Sequence, residues 1–257
     1  MKKCFLYFLI SCLMCSCLHD DYKEDVLQNI LYNGIDRRLF HYDIISESQK
    51  QMVWNEEFDN NDSKWPFDIS KAHEIYDKYH PQYYTTATIK DGCLQVSTTM
   101  PFSMDRFFEI PVIFYEDKNY EIELSIFGDS GYSVYWDENW EEHYYLNIIS
   151  LSFNNDGIKE NAHLEKRVEE DGEKIRLWGS NRIVSGLFYY THAKDFWFQN
   201  QFNAITVRKI NDKYSFFINH KFFYLSDNNY KCILQTIQLW INNKNSRIDY
   251  VRVSYIP

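Results

Sequence analysis

Apolar and polar residues alternate with a period of two along most of the chain beyond Gln51. The clearest case is residues 120–126, YEIELSI, in which every second side chain is apolar. Successive side chains of a strand point to opposite faces of a sheet, so this segment predicts a strand with one apolar and one charged face. The same reasoning predicts strands at residues 213–219, 236–241 and 248–255.

Short polar turns separate the predicted strands. They are Lys90-Asp91-Gly92, Asn154-Asn155-Asp156-Gly157, Glu170-Asp171-Gly172, Asn211-Asp212-Lys213 and Asn242-Asn243-Lys244-Asn245. Strands that recur every 8 to 12 residues or so, with turn residues between them, are typical of an all-β sandwich or barrel. Because no low-complexity linker divides residues 51–257, we expect them to form one domain.

The first residues have the pattern of a targeting segment. Lys2 and Lys3 supply positive charge, and an apolar run follows from Phe5 to Met14. A membrane-spanning helix needs about 20 apolar residues, roughly twice this length. The pattern predicts a cleavable signal peptide over residues 1–16.

The end of that segment, Met14-Cys15-Ser16-Cys17, resembles the lipobox of bacterial lipoproteins, with Cys17 at the lipidated position. The alternative is an ordinary secretory signal whose cysteines are incidental. The resemblance implies acyl chains such as palmitate on Cys17, which hold the protein on a membrane. Asp20 and Asp21 are similar to the export tag of Gram-negative surface lipoproteins, which implies an outer-membrane location facing the cell exterior.

Residues 17–50 lack the alternation of the rest of the chain. Val26, Leu27, Ile30 and Leu31 fit one short helical face, and a polar stretch follows. We interpret this region as the lipidated N-terminus and a tether.

Composition favours one class of secondary structure and argues against one class of partner. Aromatic residues make up 18% of the 257 residues, which favours strands, and the net charge of −10 argues against a nucleic-acid partner. Only Cys93 and Cys232 lie beyond the maturation region. They could form a disulfide in an oxidising compartment or remain as small buried thiols, and both outcomes stay open.

Several segments in order resemble the concanavalin A-like, laminin G-like sandwiches of bacterial secreted proteins. They are residues 57–66, 89–94, 120–125, 131–136, 202–209 with 214–219, and 248–253, within a match from Trp54 to Tyr255. The resemblance implies a two-sheet antiparallel jelly-roll sandwich and glycan recognition. Hydrolases and structural modules share the fold, so it does not by itself identify the activity.

Flat aromatic rings that stack on sugars are the candidate ligand-binding residues. They are Trp136, Trp140, Trp178, Tyr189, Tyr190 and Trp197. Most aromatic residues in such a sandwich are packing residues, so we expect about two of these to line a site. The carboxylates at 137–142 are interpreted as part of a charged surface loop.

Hydrolases of this fold carry two carboxylates on one strand, as Glu-x-Asp-x-Glu or with one extra residue. The run at residues 169–173, EEDGE, matches by letter, but its intervening positions are not apolar, which favours a solvated turn. No catalytic residue is therefore assigned. Asp59 and Asn61 begin a calcium-like pattern that Lys64 interrupts, so they are weak candidates for a calcium ion and no other cofactor is expected.

The sequence therefore predicts a lipid-anchored, non-catalytic, lectin-like sandwich that binds glycan. One alternative is a glycoside hydrolase of the same fold, and another is a structural lipoprotein that binds a cell-envelope protein.

Overall fold

A computed structural model of the chain describes residues 36–257 except 43–44, 60–72, 77–81, 83, 99–106, 115–116, 129–132, 137–141, 180–182, 185–187, 227–231 and 241–245. The predicted signal peptide, Cys17, Asn61, Trp140 and the turn at 242–245 lie outside this part. Within it, no helix is long and apolar enough to cross a membrane.

The described chain is almost entirely strand. The strands are β1 (Gln51–Glu56), β2 (His73–Tyr76), β3 (Tyr84–Lys90), β4 (Cys93–Thr98), β5 (Phe107–Phe114), β6 (Tyr120–Phe127), β7 (Ser133–Trp136), β8 (Glu142–Asn155), β9 (Ile158–Glu169), β10 (Gly172–Gly179), β11 (Phe188–His192), β12 (Phe202–Ile210), β13 (Lys213–Ile218), β14 (Lys221–Leu225), β15 (Ile233–Trp240) and β16 (Ser246–Tyr255). The predicted strands at 120–126, 213–219, 236–241 and 248–255 correspond to β6, β13, β15 and β16, and turns follow β3, β8, β9 and β12 as expected.

The strands form two antiparallel sheets. Sheet A has the order β14-β13-β12-β6-β16-β4-β3-β2, with β1 paired to β16. Sheet B has the order β11-β10-β9-β8-β15-β5, with β7 paired to β8. The molecule is an all-β, two-sheet jelly-roll sandwich, as the sequence predicted.

The apolar core lies between the sheets. Leu124 and Val207 of sheet A pack in one cluster with Leu164 and Ile237 of sheet B, and all four are almost fully buried. Because side chains alternate along a strand, each core residue leaves its neighbours on an outer face of the sandwich. Side chains that could contact a ligand therefore lie on the outer faces of the two sheets.

Residues 36–50, the N-terminal segment, pack on the outer face of sheet A. Leu39 joins Ile210 and Ile256 in a small apolar cluster. Tyr42 stacks on His220, with ring centroids 3.9 Å apart, and its hydroxyl donates to Glu123 at 2.8 Å. This packing covers the charged face of β6 that the alternation had predicted.

A buried ionic network holds the N-terminal segment to the sheet. Arg208 pairs with Glu121 and also donates to the carbonyl of Arg38 at 2.9 Å. Lys50 Nζ lies 2.7 Å from a Glu121 oxygen and 3.1 Å from one of Glu123. Each charge therefore has a partner, as buried charges require.

Both described cysteines are buried thiols outside any disulfide. Cys232 Sγ lies 3.2 Å from the Tyr214 hydroxyl within the core, and Cys93 sits at the start of β4. Of the two outcomes left open by the sequence, the structure contains buried thiols.

Candidate functional site

The outer face of sheet B is uncovered by the N-terminal segment and carries polar and aromatic side chains. Ala162 and Leu164 of β9 point into the core, as do Ile175 and Leu177 of β10. The intervening residues of these two strands therefore face outward. Strand β8 follows the same rule around Ser150.

Four outward residues lie in one row across adjacent strands. The strand pairing places Trp178 opposite His163, His163 opposite Ser150, and Ser150 opposite Gln238. Adjacent strands are about 4.8 Å apart, so the row is about 14 Å long. Ser150 and Gln238 are 0% and 5% exposed, whereas His163 and Trp178 are partly exposed, so the row meets solvent at its Trp178 end.

The centre of the row is a packed aromatic pair. The rings of His163 and Trp178 stack with centroids 4.2 Å apart and an interplanar angle of 22°. The Ser150 hydroxyl lies 2.6 Å from Nδ1 of His163. Burial lowers the pKa of His163 to about 4, so the imidazole is neutral at pH 7 and acts as a packing surface beneath the indole.

A buried carboxylate lies beside this pair. Glu165 is 5% exposed, and its oxygen is 3.4 Å from Nε of Arg167 and 3.7 Å from a guanidinium nitrogen of Arg176. Burial raises the pKa of Glu165, and the two arginines oppose that rise. Arg176 also lies 5.5 Å from the ring centroid of Trp178.

Gly179 allows the indole-bearing strand to approach its neighbour. Its φ is +134°, and a Cβ there would lie 2.1 Å from the carbonyl oxygen of Asn161. A side chain at this position would push β10 away from β9 next to Trp178. The glycine beside the tryptophan therefore belongs to the geometry of the face.

The structure separates the aromatic residues that the sequence proposed for ligand binding. Trp178 lies on the outer face of sheet B, and Tyr190, 50% exposed, lies opposite Arg176 on the same face. Tyr189 turns the other way and packs against Tyr224. Trp197 is 5% exposed and packs in the core, so it does not belong to this face. Trp136 ends β7.

His163, Ser150, Glu165 and Arg176 were not among the sequence candidates. The alternation of β9 and β10 could have placed them on one face, since they interleave with Leu164, Ile175 and Leu177. These four side chains lie close together only because β8, β9 and β10 are paired, and the alternation within one strand does not specify that pairing.

The described strands hold one pair of carboxylates at positions two apart, Glu121 and Glu123 of β6. That pair is buried beneath the N-terminal segment. The EEDGE run is a turn, as predicted. Asp171 and Glu173 line a cavity of about 420 Å³ there, but Asp171 pairs with Lys174 at 2.7 Å and Glu173 with Lys166 at 3.3 Å.

No group of three or more His, Cys, Asp or Glu residues that could hold a metal ion occurs in the described part of the chain. Asp59 is exposed. Because its proposed companion Asn61 lies outside that part, a calcium ion at these residues stays a prediction.

Fold and outer face together define a two-sheet jelly-roll β-sandwich with aromatic side chains on the outer face of one sheet. No protein-family model matches the sequence, and no curated protein matches it either. Similarity is found among solved structures. The catalytic domain of an endo-1,3-β-glucanase (laminarinase) from Thermotoga petrophila has a TM-score of 0.51 and 14% identity, over 80% of this chain and 98% of that one.

Two further structures have the same architecture. SCLam, a non-specific endo-β-1,3(4)-glucanase of family GH16, has a TM-score of 0.50 and 13% identity, over 83% of this chain and 93% of that one. A GlcNAcα1-4Gal-releasing endo-β-galactosidase from Clostridium perfringens has a TM-score of 0.50 and 12% identity, over 84% of this chain and 64% of the enzyme. At these identities the similarity establishes the fold.

Proposed function

We propose that the outer face of sheet B binds a polysaccharide chain. The observation that carries the proposal is the set of Trp178, Tyr190 and Arg176 on this face. The indole is partly exposed, Tyr190 is 50% exposed, and the Arg176 guanidinium lies 5.5 Å from the ring centroid of Trp178. Sugars present apolar C–H faces to aromatic rings and hydroxyls to polar side chains, so this set of groups suits them.

The placement of Trp178 supports this role over a purely structural one. The indole is partly exposed, and the stacked imidazole of His163 fixes its orientation. A ring held in place loses little conformational freedom when a sugar stacks on it. Glu165 and Arg176 lie next to the ring and supply an acceptor and donors for hydroxyl groups.

Hydrolysis of the bound glycan is the second candidate function. The solved structures favour it over binding alone, since those proteins are endo-acting glucanases and an endo-β-galactosidase. Glu165, whose pKa burial raises, is a described carboxyl beside Trp178 that is suited to be a general acid. Two-carboxylate hydrolysis needs a partner about 5 to 9.5 Å away.

The location of the protein at a membrane is part of the same proposal. We infer that Cys17 carries the lipid and that the acidic pair after it directs the protein to the outer surface of the cell. The lipobox-like MCSC sequence supports the first step, and Asp20-Asp21 supports the second. A glycan-binding face displayed there would meet polysaccharides outside the cell.

The proposal is tested by titrating the full chain, purified in mild detergent, with laminarin, mixed-linkage β-1,3/1,4-glucan and a β-galactan. We expect at least one to bind, and Trp178→Ala to weaken it about tenfold or more, because a buried aromatic contact contributes roughly 1.5–3 kcal/mol. Trp178→Phe should retain part of the affinity. Phe222→Ala, which removes a ring 39% exposed on sheet A, is the matched control.

Cleavage is measured in the same samples by the release of reducing ends. If the protein is a hydrolase, Glu165→Gln, which keeps an oxygen acceptor for the glycan, should still bind and lose activity by about 10²–10⁴. A wild-type chain that binds without releasing reducing ends would exclude hydrolysis of these glycans and leave the binding role. Absence of binding to all three glycans, or equal affinity in Trp178→Ala, would contradict the proposal.

A further inference from the structure

The outer face of sheet A is only partly covered. The N-terminal segment packs over β6 and β12 through Glu123 and Arg208. Toward the opposite edge, over β3, β4 and the start of β16, a groove of about 380 Å³ is open. Its lining includes Thr86, Thr88, Gln95, Ser97, Phe127 and Arg247.

These side chains point outward in register. Ala87, Leu94, Val96 and Ile248 are buried in the core. The pairing sets Thr88 opposite Gln95, Gln95 opposite Arg247, and Thr86 opposite Ser97. The groove therefore presents two rows of neutral hydrogen-bonding groups, and the row through Thr88 and Gln95 ends, on the β16 side, at the guanidinium of Arg247.

Arg247 lies against an aromatic ring. Its guanidinium carbon lies 3.4 Å from the ring centroid of Phe127. No described carboxylate pairs with it. The nearest acidic residue along β16, Asp249, instead accepts a hydrogen bond from Ser125 at 3.5 Å. Stacking on an aromatic ring leaves the N–H edge of a guanidinium free to bind an anion bidentately.

Charge identifies the ligand class. A guanidinium fork matches the geometry of carboxylate and of sulfate oxygens, and charge-assisted bonds of this kind are the strong ones. The surrounding threonine, serine and glutamine side chains match sugar hydroxyls. Since the chain has a net charge of −10, it does not attract anions in general, and any acidic ligand must be recognised locally.

We propose that this groove is a second saccharide site, on the sheet opposite to the Trp178 face, and that it takes a sugar bearing a carboxylate or sulfate group through Arg247. The site is independent of the polysaccharide face, since it shares no residue with it. Thr88 and Gln95 bond the hydroxyls of the same sugar or of its neighbour.

The test titrates the full chain in mild detergent with three probes: an oligogalacturonate, its methyl ester, and a sulfated galactan oligosaccharide. We expect the acid or the sulfate to bind and the methyl ester, which has the same backbone without charge, to bind at least tenfold more weakly. Arg247→Ala should weaken the charged probe about 10- to 100-fold, as loss of a charge-assisted bond predicts. The affinity of Arg247→Lys for the charged probe should lie between those of the wild type and Arg247→Ala.

Trp178→Ala is the control for the other face and should leave binding of the charged probe unchanged. Thermal melting of both Arg247 variants checks that the sandwich is intact. Equal binding of the acid and its methyl ester, affinity unaffected in Arg247→Ala, or no binding of either charged probe would each overturn the proposal. Loss of binding in Trp178→Ala alone would assign the charged sugar to sheet B instead.

Discussion

His163 shows how surroundings determine the behaviour of one residue. Its imidazole lies between the Trp178 ring and the Ser150 hydroxyl. Water has limited access there, so the charged form is disfavoured and the pKa falls from its usual 6.5 to about 4. The same burial raises the pKa of the neighbouring Glu165 carboxyl. Burial on this face therefore favours the uncharged forms of both His163 and Glu165, compared with the same groups in water.

This burial predicts an acid sensitivity. Between pH 6.5 and about 4 the unfolded chain binds a proton at His163 that the folded chain does not. The free energy of unfolding should therefore fall as the pH falls through this range, by at most about 3 kcal/mol. His163→Gln lacks that proton uptake, so its stability should decline less between pH 7 and pH 4.5.

Urea unfolding of the wild-type and His163→Gln chains at pH 7, 5.5 and 4.5 measures the difference. Both chains contain Glu165 and all other titrating groups, so the change in their difference with pH isolates the histidine. Parallel pH profiles for the two chains would show that His163 titrates normally in the folded state.

At the scale of elements, the ion pairs on sheet A differ greatly in exposure. Glu121 is 1% exposed and binds Arg208 and Lys50. Glu57 and Arg252 form a second pair, with Nε to oxygen at 2.7 Å, but their side chains are 34% and 35% exposed. Solvent screens the second pair and not the first.

Neutralising the two glutamates should therefore have unequal effects. Glu121→Gln leaves the buried Arg208 without its carboxylate, although Lys50 keeps Glu123, so we expect it to cost about 3–5 kcal/mol of unfolding free energy. Glu57→Gln should cost less than about 1 kcal/mol. Chemical unfolding of both variants measures the costs. Similar losses in the two would mean that the network beneath the N-terminal segment is as hydrated as the surface pair.

At the scale of the whole molecule, the two outer faces of the sandwich differ in the residues that pack on them. The outer face of sheet A binds the N-terminal segment along β6 and β12. The outer face of sheet B, which carries Trp178 and Tyr190, is on the side of the sandwich away from the described residues of this segment. The segment that connects to the proposed lipid on Cys17 thus packs on the opposite side of the sandwich from the proposed polysaccharide face.

The membrane address is testable on the intact cell. We expect wild-type chain to incorporate labelled palmitate and to be degraded by protease added outside the cell. Cys17→Ala should lose the label and leave the membrane fraction, because its acyl chains supply the attachment. Cys15→Ala is the matched control and should retain both properties. Membrane retention of Cys17→Ala would contradict lipidation at this position.

The sequence predicted the sandwich well because the evidence for it is local. Alternation in YEIELSI and turn residues such as Asp91-Gly92 depend on neighbours a few positions apart, and the structure has β6 and the β3–β4 turn there. The residues of the candidate site were harder to predict from the sequence. Trp178 was among the candidates, but so was Trp197, which is in the core, since ring type alone does not reveal the side of the sheet on which a residue lies.

The amino-acid sequence by itself determined the strands, the turns and the all-β class, because periodicity and turn propensity act between near neighbours. Only the tertiary structure decided which faces meet and which stay open. Pairing of β8, β9 and β10 brings Ser150, His163 and Trp178 together from three strands. Packing of the N-terminal segment buries Glu121 and Glu123, which alternation alone had placed on a charged outer face. Both outcomes depend on contacts between distant residues, which a local pattern does not encode.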